Sequence, residues 1–374
     1  MRPNKKRVQS VSTISARESS VQNWPSIIFQ EPSVLPEIPK NILLTNSCDT
    51  NRSKDSTKQT ENNVDKPSVF LEPQKPIFQM PKKKDLQNNE ELHLKDFEVN
   101  LLRIEASDLT FSSKILGSAS QGIVRQASWA GTVVAVKTFP KSKINKLLVR
   151  EIVLMQKIRH ENCISVMAIR PQLREFHIVM QCFNGFDLKN IIFEEPKIIL
   201  NADTKNNICL QICKGINFIY RLRGPIIHRD IKPSNVMVDQ HGNVKICDLG
   251  LSNCKNLNSR LQSTAVNTIR GSIAYLSPEI VLHRAEATEK SDVWAVAITL
   301  VELYSYRYAF NIPEEEGFDI FGFMKSLFFK NTNPGLDSVP YFCRKSFENC
   351  SNYDPDKRTN MQKLLGNFQK IVLP

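Results

Sequence analysis

The 374-residue chain has no apolar run near the roughly 20 residues that a membrane helix needs. Its longest candidate, "VWAVAITLVELY", is much too short and reads as a buried core helix. The opening "MRPNKKRVQSVSTIS" is basic but leads into no apolar stretch, which argues against a secretory signal there. Nine cysteines are scattered without a Cys-x-x-Cys pair or a Cys/His cluster at zinc spacing. A chain this well supplied with core residues needs no disulfide framework, so free thiols in a reducing compartment are expected. That places the protein in the cytoplasm. Residues 1–95 contain no glycine at all, yet hold nine of the 20 prolines. Charge of one sign is not blocked anywhere. In residues 1–95, 15 Lys and Arg stand against 11 Asp and Glu, which leaves 35 against 27 in the remainder of a chain with net charge +12. A diffuse excess of this kind reads as a solvated basic surface, and no nucleic-acid partner is expected.

What is present divides the chain in two. Residues 1–97 read as a disordered regulatory or docking tail. "TNSCDTNRSKDSTKQTENNVDK" (45–66) is polar and without period, and cannot bury enough apolar surface to offset its ordering entropy. Two islands, "WPSIIFQEP" (24–32) and "KPIFQMPKKK" (75–84), mix apolar residues with proline as docking segments do. "PKKK" would also suit nuclear entry.

Residues 98–374 read as one two-lobed α+β domain. The strands "FSSKILG", "IVRQASWAG" and "TVVAVKTF" start near Leu109, with a hairpin turn in "SWAGTV". The helix "LLVREIVLMQKIRH" and the strands "CISVMAI" and "FHIVMQCF" follow. From about residue 187 the pattern turns helical, with "NNICLQICKGINFIYRL" amphipathic and "VWAVAITLVELYSY" apolar on nearly all sides. A small β-rich lobe (about 109–182) therefore precedes a larger helical lobe (about 183–374), with a cleft between them.

Four fragments fall in order along this frame: "GSASQG" (117–122), "VAVK" ending at Lys137, "HRDIKPSN" (228–235) and "DLG" (248–250). The first is no Walker A loop, because Ile123 and Val124 follow Gly122 where Lys and Ser/Thr would stand. It is no dinucleotide turn either, since "GIVRQASW" continues as a strand. A phosphate-covering loop between two strands fits. Together the fragments resemble the protein kinase family, over about residues 105–374. "HRDIKPSN", with Lys232 two residues after Asp230, is similar to the serine/threonine form. "DLTFSSKILG" and "SWAGTVVAVK" resemble the tyrosine-kinase-like group, and "SDVWAVAITL" also resembles Mos-like kinases.

The resemblance implies the two-lobed kinase fold, ATP and Mg²⁺ as cofactors, and proteins bearing Ser or Thr as substrates. It implies that Lys137 holds the α/β-phosphates and is itself held by Glu151. Asp230 would take or orient the substrate hydroxyl proton, and Lys232 would neutralise the transferring phosphoryl group. Asn235 and Asp248 would hold the metal as hard oxygen ligands. Gly117, Ala119, Gly122, Val124, Ala135, Met180, Gln181 and Phe183 would line the nucleotide pocket, with backbone bonds to the base from Gln181 and Phe183. Leu249 stands where the family usually has Phe. Cys247 would face the same pocket. Glu279 in "GSIAYLSPE" would pair with Arg358, and Asp292 would brace the catalytic loop.

Regulation is expected at Arg229, which answers an activation-loop phosphate in the family, with Thr264 and Thr268 as candidate acceptors and Ser272 as a further hydroxyl. Ala119 replaces the middle glycine of the loop. Its methyl, and its dislike of positive φ, should weaken nucleotide binding by about 1 kcal/mol. The alternative reading is a pseudokinase acting as a nucleotide-binding scaffold. Retention of Lys137, Glu151, Asp230, Lys232, Asn235 and Asp248 argues for the active enzyme.

Overall fold

A computed structural model describes residues 101–119, 122–140, 146–172, 175–194, 198–248, 272–313, 315 and 317–372. The expectations for residues 1–97, Leu249, Thr264 and Thr268 lie outside these, as do the side chains of Ala119 and Glu151.

Strand-forming residues dominate the first part, and six strands pair there. They are β1 (Leu102–Arg103), β2 (Leu109–Ala119), β3 (Gly122–Trp129), β4 (Thr132–Pro140), β5 (Val166–Pro171) and β6 (Glu175–Gln181), in the order β1-β5-β6-β4-β3-β2. All neighbours are antiparallel except β1 and β5. The β3–β4 hairpin turns through Ala130 and Gly131, at φ 48° and 79°. Positive φ at both positions is what a two-residue turn between right-twisted strands requires. Period-two alternation sorts β4 between two cores. Val134 and Val136 face one with Leu109, Ala127, Ala168 and Val179. Ala135 and Phe139 face the other, with Ile178, Met180 and two residues, Ile152 and Met155, of helix α1 (Lys146–Met155).

The second part is mostly helical. Helix α2 (Ala202–Tyr220) starts at Asn201, whose side chain accepts from the Thr204 N–H at 2.8 Å. Helix α3 (Pro278–His283) leads into α4 (Glu289–Ser305), capped by Thr288 and Ser291. Then come α5 (Ile320–Phe329), α6 (Tyr341–Cys350) and α7 (Met361–Val372). The expectation that α4 is apolar on nearly all sides holds: Val293 to Val301 are all buried, Thr299 the one polar residue among them. Val293, Val296, Leu300 and Val301 meet Ile212 and Ile216 of α2, Phe347 of α6 and Phe368 of α7 in one cluster, while Trp294 and Ile298 join a second, where Trp294 faces Phe328 and Tyr353.

Three short strands, β7 (Phe186–Asp187), β8 (Val236–Val238) and β9 (Val244–Ile246), form a separate antiparallel sheet. The loop after α1 is pinned to it. The Ile246 N–H donates to Asn162 O at 2.8 Å, and the Ile164 N–H donates to Ile246 O at 2.9 Å. Buried Asn162 adds amide bonds to Gln211 Oε1 (2.9 Å) and Val244 O (3.2 Å). This joint ties the strand-rich part to the strand that leads into Asp248.

Candidate active site

Alternation along β4 turns Lys137 to the same face as Ala135 and Phe139, where it is 1% exposed. A buried ammonium needs a counter-charge. It finds Asp248, with Nζ 2.7 Å from Oδ1. Burial pushes the Asp248 carboxyl upward, but Lys137, Lys232 and His228 together hold it below the usual carboxylate range. The pairing expected from the sequence was with Glu151, whose backbone lies in α1. The direct link to Asp248 was not anticipated.

The catalytic-loop string is shaped by α4. Asp292, in its first turn, accepts from the backbone N–H of His228 (2.6 Å) and Arg229 (2.8 Å), and from the Tyr220 hydroxyl (3.1 Å). These bonds hold Arg229 at φ 68°, a conformation that costs a non-glycine residue of order 1–3 kcal/mol. Burial raises the Asp292 carboxyl above its ordinary value, against the opposing pull of His228 and the amide bonds. The bracing role expected of Asp292 is thus what the hydrogen bonds perform.

Asp230, Lys232 and Asn235 meet. Lys232 Nζ donates to Asp230 Oδ2 at 3.0 Å and to Ser272 Oγ at 2.9 Å. The Asn235 amide nitrogen donates to Asp230 O at 2.6 Å and to Oδ2 at 3.1 Å. Asn235 O in turn accepts from the Cys247 N–H at 2.8 Å, and His228 Nε2 lies 3.2 Å from Cys247 O. The residue preceding Asp248 is therefore fastened to the loop that carries Asp230. Both carboxylates sit at one edge, as the β8–β9 hairpin between them requires.

The pocket residues converge as well. Val124, Phe183, Cys182 and Cys247 fringe the cluster containing Ala135 and Met180. Gly122 is there because β4 passes close by: a Cβ would fall 2.1 Å from Thr138 O. A Cβ on Gly117 would meet nothing within 4 Å, so space lies open beside it. Gly185, unremarked in the sequence, has Val238 O 2.5 Å from where its Cβ would be. The Gln181 N–H donates to Ser165 O at 3.0 Å, so a backbone bond from Gln181 to a base would fall to its carbonyl. Burial, first of all, pushes the Cys247 thiol well up, which makes it inert.

Below the cleft, Arg358 makes a bidentate pair with Glu279, at 2.9 Å for each bond, and stacks 5.3 Å above Trp294. Burial raises Glu279, but the Arg358 bonds and charge outweigh it and hold the carboxyl below its usual range. The sequence missed a second buried carboxylate here. Glu302 of α4, 1% exposed, accepts from the Tyr275 hydroxyl at 2.7 Å and the Ala309 N–H at 3.1 Å. Burial pushes it up to about 7. The available signal was a Glu standing as the one charged residue in the run Val293–Tyr304.

Comparison with known proteins agrees with this geometry. Residues 111–368 match the protein kinase domain. A mitogen-activated protein kinase kinase kinase 7-like protein of Drosophila melanogaster is 28% identical over 269 residues, 70% of this chain and 66% of the relative. Mitogen-activated protein kinase kinase kinase 7 of the same organism is 29% identical over 275 residues, 72% of this chain and 38% of the relative. Serine/threonine-protein kinase CTR1 of Arabidopsis thaliana is 28% identical over 274 residues, 71% of this chain and 32% of the relative. The chain thus spans less than two thirds of the length of each. Such relatives fit the tyrosine-kinase-like character read in the sequence. With the buried lysine and the braced loop already described, the match over residues 111–368 shows that the chain belongs to the protein kinase family.

Proposed function

We propose that the chain is a serine/threonine protein kinase, which moves the γ-phosphoryl group of ATP to Ser and Thr hydroxyls of other proteins. The observation that carries this reading is the joined set of Asp230, Lys232, Asn235 and Ser272. Asp230 accepts the hydroxyl proton as oxygen attacks phosphorus and the bond to the β-phosphate oxygen breaks. Lys232, 3.0 Å from Asp230, sets its charge beside the transferring group. Ser272 keeps that ammonium from swinging away. Lys137 supports the phosphates, and Glu151 on α1 is its partner in the productive arrangement.

Asn235 and Asp248 fit a magnesium ion. The Asn235 amide nitrogen is spent on Asp230, which leaves its oxygen, and Lys137 occupies only Oδ1 of Asp248. Both remaining donors are hard oxygens. The ion, when bound, supplies charge neutralisation across the β- and γ-phosphates. Gly117, Ala119 and Gly122 cover the phosphates, and Val124, Ala135, Met180, Phe183 and the Gln181 carbonyl hold the base. Arg229 answers phosphate at Thr264 or Thr268. Residues 1–97 serve docking or regulation ahead of the kinase domain at 98–374. The site of action is cytoplasmic; among the described residues no helix is long and apolar enough to cross a membrane.

Incubation with radiolabelled ATP and Mg²⁺, with a generic basic protein as acceptor, tests the proposal. Wild type should label the acceptor on Ser and Thr, and Asp230→Asn should not. Equal labelling by both, or none by folded, phosphorylated wild type, would reject it.

A further inference from the structure

The match to the kinase domain starts at residue 111, yet folded structure starts before it. Strand β1 lies parallel along β5, with Leu102 opposite Ala168 and Arg103 opposite Ile169. The Ile104 N–H extends the ladder to Ile169 O at 3.1 Å. Without β1, β5 would be the exposed edge of the sheet. The residues flanking β1 go to opposite faces. Ile104, 6% exposed, enters the cluster of Leu109, Val134 and Val136. Leu101, 7% exposed, enters the cluster to which α1 contributes Ile152 and Met155. Leu102 between them is 56% exposed.

Among the described side chains of helix α1, Val149, Ile152 and Met155 are buried, and Ile152 and Met155 share their cluster with Leu101. Truncating Leu101 leaves a void against that face, and a packed helix answers such a void by a small shift or turn. Glu151 sits next to Ile152 on that helix, so a movement of α1 is a movement of Glu151 relative to Lys137.

We propose that residues 101–104 are a wedge that sets the position of α1, and that Leu101 is a positioning residue for phosphoryl transfer, acting through Ile152 and Met155. The wedge is continuous with residues 1–100. A partner that pulls on that segment would withdraw Leu101 and loosen α1 without touching the cleft. The proposal rests on the kinase reading and on the productive Lys137–Glu151 pair.

The test uses the full chain as wild type, Leu101→Ala, Leu101→Met and the exposed control Leu102→Ala. Two quantities are read well below each melting temperature: kcat and KM for ATP, and amide hydrogen exchange in α1 (146–155) against α4 (289–305). Leu101→Ala should lower kcat about tenfold, because small misplacements of a positioned group carry such losses. It should also speed exchange in α1 about tenfold while α4 is unchanged. Leu101→Met should restore both, and Leu102→Ala should match wild type. A wild-type kcat and wild-type α1 exchange in Leu101→Ala would overturn the wedge. Equal acceleration in α1 and α4 would also overturn it, by showing general loosening. If wild type itself transfers no phosphate, the kinase reading falls, and the exchange contrast alone decides whether Leu101 positions α1.

Discussion

Replacing Asp292 with Asn tests how the catalytic loop is held. The carboxylate accepts three hydrogen bonds, two of them from the adjacent amides of His228 and Arg229 at 2.6 and 2.8 Å. An Asn side chain offers one oxygen in place of two. One backbone N–H then faces an NH₂ group inside the protein, at a cost of about 1–3 kcal/mol for a buried unsatisfied donor. The surviving bond loses its charge assistance and about half its strength. The sum is roughly 2–4 kcal/mol, similar to what holding Arg229 at φ 68° demands. The cheapest relaxation is for Arg229 to leave that conformation, which moves Asp230. A displacement of order 1 Å there costs about 100-fold in rate. Urea unfolding and initial-rate phosphorylation should therefore both respond, with kcat down about 100-fold at temperatures where the variant is folded. Tyr220→Phe removes one bond, to the oxygen that also accepts from the His228 N–H, leaves both amide bonds in place and should cost only about 1 kcal/mol, with kcat within a few-fold of wild type. An Asp292→Asn enzyme with kcat within twofold of wild type would refute the reasoning.

Three further outcomes follow from the geometry. Glu302 is raised from an ordinary 4.5 to about 7, so the folded state favours its protonated form. Its contribution is fully present below pH 4.5 and is lost as pH rises through 7. The loss amounts to about 3 kcal/mol, which Glu302→Gln should abolish. The melting-temperature difference between variant and wild type should grow between pH 5 and 8, and a pH-independent difference would count against the assignment. Arg358→Met strands Glu279 as an uncompensated buried charge and should cost about 3–5 kcal/mol by denaturant titration. Adding Glu279→Leu should recover much of it, and strictly additive losses would show that the pair is not coupled. Gly122→Ala drives a methyl into Thr138 O, while Gly117→Ala meets open space. The first should lower the melting temperature and the second should not, although it can still weaken ATP binding; equal melting shifts would contradict the packing.

Much of the site was legible because its chemistry is written in contiguous strings. "HRDIKPSN" sets Asp230, Lys232 and Asn235 within six residues, and "VAVK" alternates Lys137 onto the inner face of β4. The β3–β4 hairpin and the two long helices declared themselves by their own periods. What stayed hidden is long-range. Strand β1 is two residues long and gains meaning only from a parallel neighbour 66 positions away, Leu102 opposite Ala168. The Tyr275–Glu302 bond, the Asn162–Gln211 joint and the Lys137–Asp248 pair each link residues that no local pattern connects. The Gln181 N–H bond to Ser165 O is of the same long-range kind.

The account's central claim is that Asp230, Lys232 and Asn235 work as one unit, joined by bonds of 2.6–3.1 Å. The most direct test is kcat for Asp230→Ala, Lys232→Ala, Asn235→Ala and the triple variant, all with saturating ATP and Mg²⁺. Groups that act together lose activity together, so Asp230→Ala should cost nearly as much as the triple, far less than the product of the three single losses. Losses that simply multiply across the three would contradict it, and would mean that the contacts seen around Asp230 do not make a catalytic unit.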